Sequence, residues 1–413
     1  MIRPVKTGTG KTRLVKRASQ IVLASSIALS ALRLAVRPFS RNKPQPLPAE
    51  KRTKEPHFAV LIPARDESKV IEGLLKDLRR QTQKVPASDI FIIIEQPDDP
   101  TAAIAKKYGM NVRLRKDMGP GRKCKGCALE EVVEDIWPKL YDAYFIFDAD
   151  NRVDKDFFKE MTKTWRQGYD IGIGFRNIKN PVNAMAVASG MIFTALNVLG
   201  NKMRTRRNMT CNVTGTGFYI SGRVLNQLKT YPFHTLTEDY ELSLYACVNN
   251  LTCCYNDKAV FYAEQPTDYN QYFKQRVRWV KGYMQARKIY YPQLVRKARI
   301  HNPNLASVID QLVGVGELVF AIIGLFLLFL HDRKSLKSIV LEATYIYVVL
   351  FVFSEFLLLT EKRYHCPKRL LLKSLLLNPL LLLSYIPCGV KAIVKKDVKW
   401  DKIEHGEQQE KAG

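Results

Sequence analysis

Two aspartates two positions apart close the run Ala143-Tyr-Phe-Ile-Phe-Asp-Ala-Asp150. The bulky apolar residues before them read as a buried strand, and on an extended chain Asp148 and Asp150 point to the same side. Two carboxylates at the carboxyl end of a strand can hold a hard divalent cation against a phosphate. Asp-x-Asp is also an ordinary way to start a turn, so the pair needs company before it means chemistry. Company is present. Asp66-Glu67 follows one apolar run, and Glu95 follows another, with Asp99 close behind. Lys125 lies inside Arg122-Lys-Cys-Lys-Gly-Cys-Ala-Leu129, and Thr237-Glu-Asp239 follows the Gly-rich segment Asn212 to Ser221. Gln275-Arg-Val-Arg-Trp279 opens an aromatic and basic stretch.

Each group also has a plainer reading. Asp66 and Glu67 suit an exposed helix N-terminus, where the dipole favours acids. Lys125 suits a solvated basic loop. Glu238, after Thr237, suits the capping of a helix. Arg-Val-Arg-Trp suits an interfacial belt at a membrane.

The elements that would position these residues alternate between strand and helix. Phe58-Ala-Val-Leu-Ile62 is a short apolar run ended by Pro63, and Ser68 to Gln81 carries Val70, Ile71, Leu74, Leu75 and Leu78 at helical spacing. Ile90 to Ile94 is a β-branched run, Thr101 to Tyr108 a helix, Val112 to Leu114 a short strand, and Gly126 to Trp137 another helix. Repeated βα units predict an α/β fold, a doubly wound and mostly parallel sheet with helices on both faces.

The chain has 413 residues and a formal net charge of +26. Such a charge suits nucleic acid, an anionic membrane surface or a phosphorylated substrate. No zinc-finger spacing, RNA-binding motif or basic heptad region is present, so no nucleic-acid partner is expected. Eight cysteines are scattered through the chain, a pattern that predicts thiols in a reducing compartment. Cys124 and Cys127 have half the form of a zinc site, but adjacent Cys253 and Cys254 make a poor second half, and ordinary thiols are the preferred reading.

Outside the central segment the chain turns to the membrane. Residues 1–50 are a basic N-terminus, an apolar segment at about 18–36 and a Pro- and Lys-rich linker. That apolar segment suits a transmembrane anchor or an interfacial helix, and no convincing cleavage site marks it as a signal peptide. Residues 51–268 read as a cytosolic catalytic domain, 269–304 as amphipathic interface helices, and 305–395 as a transmembrane region, before a polar and basic tail at 396–413. Spans are expected at about 312–330, 339–359 and 370–394, the last carrying Pro379 and Pro387 and so kinked or re-entrant. Basic residues favour the cytoplasmic side for both the domain and the tail, which three full crossings do not allow.

Asp-x-Asp, then Thr-Glu-Asp, then Gln-x-x-Arg-Trp, in this order over about residues 57–285, resembles the membrane-bound branch of the inverting family 2 glycosyltransferases, which includes cellulose, chitin and hyaluronan synthases. The resemblance implies a GT-A-like domain that takes a sugar from a UDP-sugar. It places Pro63, Glu67, Glu95 and Asp99 at the uridine and Lys125 at the diphosphate. Mg²⁺ or Mn²⁺ would be held by Asp150, with Asp148 touching the nucleotide, or the metal through water. Asp239 would be the general base, with Glu238 beside it. Gly215 would lie at the acceptor end, Gln275 at the acceptor or diphosphate, Arg278 at the diphosphate, and Trp279 under an acceptor sugar. The chain departs from the family pattern where Cys124 replaces the first glycine of Gly-Lys-Gly and where Glu95 replaces an aspartate. The implied activity is processive synthesis of a β-linked glycan, of glucose or N-acetylglucosamine type, at the cytoplasmic face of a multi-pass cell-membrane protein, with a homo-oligomer or accessory export subunit as companion. Transfer of one or a few sugars to a lipid or other membrane acceptor is the alternative within the class. A catalytically lapsed membrane-attached binding protein is the alternative outside it.

Overall fold

The computed structural model describes residues 9–314 except 40, 49, 51 and 52, then 366–395, with isolated positions between these segments. The expected spans at 312–330 and 339–359, a few positions apart, and the tail at 396–413 lie outside the described residues. Two compact units divide the chain, one of Asn42–Tyr290 with Phe351–Gly413, the other of Met1–Arg41 with Tyr291–Leu350.

The first unit is built on one sheet. Its strands are β1 (Phe58–Pro63), β2 (Ile90–Ile94), β3 (Asn111–Leu114), β4 (Ala143–Ile146), β5 (Arg152–Val153), β6 (Ile171–Ile178), β7 (Phe218–Ser221) and β8 (Cys253–Ala263), in the spatial order β3-β2-β1-β4-β7-β6-β8-β5. The half from β3 to β4 is parallel, as the βα repeats require. β7 then enters antiparallel between β4 and β6, while β6 and β8 pair in parallel. β1 and β2 are apolar throughout because both their faces are covered. Phe58, Val60 and Ile62 join one core with Leu74, Leu78, Phe145 and Trp165, whereas Ala59 and Leu61 join another with Leu129, Val133, Tyr144 and Leu242.

Helices occupy the crossovers over Ile71–Arg79, Thr101–Lys107, Lys125–Ile136 and Phe157–Arg166. A cysteine begins the third of these: Cys124 is its N-cap and accepts from the Cys127 amide through Sγ. Cys124 and Cys127 form a disulfide, so these two are not the ordinary thiols that their scattering suggests. The first helical turn brings the two Cα atoms to 5.2 Å, inside the range that a bridge needs. Cys211, Cys247, Cys253, Cys254, Cys366 and Cys388 are free.

The aromatic and basic stretch after Asp268 is one helix, Tyr269–Lys297, with Pro292 inside it. Gly282 lets it approach the loop before Asp239: a Cβ there would stand 2.5 Å from Thr237 Oγ1 and 2.7 Å from its amide. Another stripe of the helix, Phe273, Val277 and Val280, packs on Cys388 and Ala392. The third apolar segment is two helices, Lys368–Leu383 and Tyr385–Val394, meeting at Ser384. Pro387 lies in the first turn of the second helix, where a missing amide proton is harmless. Ser374 and Leu375 of this pair pack on Val187 and Met191 of the helix Ala184–Ala195.

The second unit holds the N-terminal helix Thr9–Val36 against Leu305–Val313, tied by an Arg33–Asp310 ion pair at 2.9 Å. Among the described residues, Leu14–Val36 and Lys368–Val394 are long and apolar enough to cross a membrane.

Candidate active site

Every strand of the parallel half ends toward one edge, and the chain leaves β4 there into Asp148, Ala149 and Asp150. The turn is fixed from behind. The Asp148 amide donates to Thr216 Oγ1 at 2.8 Å and to Asn151 Oδ1, and Thr216 Oγ1 in turn donates to Asn151 Oδ1. Asn151 and Thr216 are fully buried, so the aspartates sit on a rigid polar base. Asp150 accepts from Asn151 Nδ2 at 3.0 Å, and its carbonyl accepts from Lys179 Nζ at 2.8 Å.

Lys125 joins the motifs. Its Nζ donates to Asp148 Oδ1 at 2.5 Å and to the Gly215 carbonyl at 2.6 Å, and lies 3.5 Å from Glu238 Oε1. Burial alone would pull this ammonium down, but Asp148, Glu238 and Asp239 outweigh it and hold its pKa above the ordinary lysine value. Gly126 allows this reach, since a Cβ there would stand 1.7 Å from the Phe233 carbonyl. Gly215, at φ +85, bends the chain so that a Cβ would stand 3.5 Å from Asp239 Oδ2.

Glu238 and Asp239 open the helix Glu238–Val248. Burial raises Glu238 to about 7, against the pull of Lys125. Burial also raises Asp239, against its neighbouring amide, Lys125 and Arg278. Both acids therefore hold a proton more readily than a solvated carboxylate, as a group that takes up a proton near neutral pH must. Arg278 donates to the Leu236 carbonyl at 2.9 Å and feels Glu238, Asp239 and Asp148, while burial lowers its pKa. The Trp279 and Phe193 rings pack edge to face with centroids 5.5 Å apart, and the Arg276 guanidinium lies 3.8 Å from the Trp279 ring centre. Gln275 accepts from Arg276 at 2.7 Å.

The β1 and β2 ends form a second patch. Pro63 closes β1, and the Glu67 amide donates to Thr101 Oγ1 at 3.0 Å. Glu95 stands 3.5 Å from Arg65. Asp99 is buried, its two oxygens accepting from the Asp66 and Thr101 amides at 2.8 Å. It shapes the loop that carries Asp66, which adopts a left-handed φ of 55.

Residues 56–282, over half of the chain, match the family described as glycosyltransferase-like family 2. This chain belongs to that family. It is a glycosyltransferase. A mannosyltransferase, PcManGT from Pyrobaculum calidifontis, solved with GDP-Man and Mn²⁺, superposes over 93% of this chain and 100% of its own, with 14% identity and a TM-score of 0.59. The shared feature at that identity is the fold, a mixed α/β GT-A-like one. TarS residues 1–349 from S. aureus aligns at 12% identity and a TM-score of 0.42, over 80% of this chain and 91% of its own. Glucosyl-3-phosphoglycerate synthase from Mycobacterium tuberculosis aligns at 13% and 0.38, over 57% and 82%. No curated protein matches this glycosyltransferase by sequence.

Asn151, Arg176 and Phe193 stand at the site outside the motifs, and Thr216 lies inside the Gly-rich segment Asn212 to Ser221 without an assigned role. Asn151 directly follows the aspartate pair and Thr216 lies between two glycines, positions where polar side chains could have been flagged. Arg176 and Phe193 lie within apolar runs and carry no such signal.

Proposed function

We propose that this glycosyltransferase moves a sugar from a UDP-sugar donor to a growing β-linked glycan, by one in-line displacement that inverts the anomeric carbon. The observation that carries the reading is the position of Lys125 Nζ, which reaches Asp148, Gly215 and Glu238 at once. Three separate sequence motifs thereby converge on one point, as a diphosphate leaving group beside a base requires.

Pro63, Glu67 and Glu95 line the uridine side, with Asp99 supporting their loop. Lys125 and Arg278 take the diphosphate, whose planar recognition suits a guanidinium. Asp239 accepts the proton of the attacking acceptor hydroxyl, and Glu238 adjusts the charge around Lys125. Trp279 offers an apolar face to the acceptor ring and Gln275 a donor to it, while Gly215 permits close approach.

The donor set suits a hard divalent cation shared with substrate. Among the described residues no cluster of three or more His, Cys, Asp or Glu converges; Asp150 and Asp148 are the residues that would hold the cation, with substrate oxygens supplying further ligands. Mg²⁺ or Mn²⁺ bound there would neutralise charge on the departing UDP.

The test is nucleotide release from a panel of UDP- and GDP-sugars, with and without EDTA. Release from a UDP-sugar that EDTA stops and Mn²⁺ restores supports the reading, and inertness toward every donor removes it. The second reading within the class is transfer of one or a few sugars to a lipid-linked or other membrane acceptor. Product size separates the two: a ladder means processive extension, a single band means one addition.

A further inference from the structure

β6 carries a cation that belongs to none of the motifs. The Arg176 guanidinium lies 3.8 Å from the centre of the Phe193 ring, and its Nη1 donates to the Thr214 carbonyl at 3.2 Å. Its Nε is buried without a hydrogen-bond partner among the described residues. A buried donor in this state is costly, and Arg276 Nε shares it.

The neighbours of Arg176 say which ligand. Phe193 meets Trp279 edge to face, and Arg276 covers Trp279, giving the series Arg176, Phe193, Trp279, Arg276. The last member is fully buried and held by Ser189 and Gln275, so it props the stack without reaching ligand. Thr214, which anchors Arg176, directly precedes Gly215, where the backbone comes against Asp239. The charges overlap with those on the diphosphate side: Lys125, Arg278 and Arg176 all feel Asp148 and Asp239, while Glu238 acts on the first two and Asp150 on Arg176. What sets Arg176 apart is its packing, which links it through Phe193 to Trp279 and through Thr214 to the segment against Asp239.

We propose that Arg176, seated on Phe193, contacts the acceptor: its guanidinium donates to an oxygen of the sugar ring stacked on Trp279 and holds the attacking hydroxyl at Asp239. The ligand class is a carbohydrate with vicinal hydroxyls, which an Arg fork can bridge. The inference rests on the transferase reading above and adds the residues that fix its acceptor.

The test uses the full-length enzyme in detergent, the donor found by the panel, and a β-linked disaccharide of the transferred sugar as acceptor probe. Arg176→Ala should raise the acceptor KM about ten- to a hundredfold, the loss of one charge-assisted hydrogen bond. UDP affinity and acceptor-independent UDP release should stay within about twofold, and Arg176→Lys should recover part of the loss. Phe193→Leu should reproduce the effect more weakly. Should the alanine variant fail to fold, Arg176→Lys and Arg176→Gln carry the comparison. An unchanged acceptor KM overturns the inference, and so does UDP affinity falling in parallel, which would make Arg176 a diphosphate residue. A wild-type enzyme inert toward every donor would instead remove the transferase reading and take this inference with it.

Discussion

Asp239 is the residue on which transfer should depend most steeply. Its carboxylate lies against Gly215 and within the field of Lys125 and Arg278. Asp239→Asn keeps the shape and removes the proton acceptor, so the transfer rate should fall about 10²- to 10⁴-fold while UDP binding persists. Calorimetry showing UDP binding lost as well would move Asp239 to the donor site. The pair Glu238 and Asp239 also predicts a pH profile. Both are raised by burial, and Asp239 must be ionised to accept a proton, so kcat/KM should climb with pH along a limb above the ordinary aspartate range. Glu238→Gln removes a negative neighbour and should shift that limb to lower pH, and a limb that stays put would contradict the coupling. For stability the sign is the reverse. A carboxyl raised from 4.5 to about 7 binds its proton more tightly in the folded state. The stability it contributes is full below 4.5 and lost as pH rises through about 7. The acids and Lys125 were legible in the sequence because their types and order are unusual together. Arg176 was not, because a lone cation in the strand Ile171–Ile178 gains meaning only when Phe193 and Thr214 fold against it.

At the scale of elements, Gly282 decides how the long helix meets the loop bearing Glu238 and Asp239. Gly282→Ala forces a methyl into Thr237, including its backbone amide, and should cost about 1–3 kcal/mol while weakening transfer, since Arg278 rides on the same helix. Gly389→Ala meets nothing within 4 Å and lies inside a helix, so it should be neutral or mildly stabilising. Thermal melts of both variants check the pair, and a Gly282→Ala enzyme as stable and active as wild type would deny the close approach. Apolar runs announced β1, β2 and β4 within a residue or so, because strands covered on both faces have no alternative composition. The reversal at β7 was illegible: Phe218 to Ser221 is as apolar as a parallel strand, and direction is set by where the chain must return. The bridge between Cys124 and Cys127 escaped for a related reason. Spacing of three means little until a helix begins between the two residues and closes their distance.

Over the whole molecule, charge and apolar length make separate predictions about the bilayer. A net charge of +26 would draw the protein to anionic lipid through an attraction that salt screens within a Debye length of about 10 Å at 0.1 M. Insertion of Leu14–Val36 or Lys368–Val394 would instead be held by apolar burial, which salt does not weaken. The pair Lys368–Leu383 and Tyr385–Val394 favours insertion, because Leu372, Leu376, Leu380, Ile386, Val390 and Ile393 stand exposed along it while its other side packs on Val187 and Met191. A run of exposed leucines beside a packed face is costly in water and stable in lipid. Cell fractionation should therefore leave the protein in the membrane pellet after washing with 1 M salt and with alkaline carbonate, and release it only with detergent. Replacing Leu372, Leu376 and Leu380 with glutamine should shift a fraction to the supernatant if this helix is one of the anchors. Quantitative release of the wild type by salt alone would mean that the basic surface, and not the helices, holds this enzyme at the bilayer.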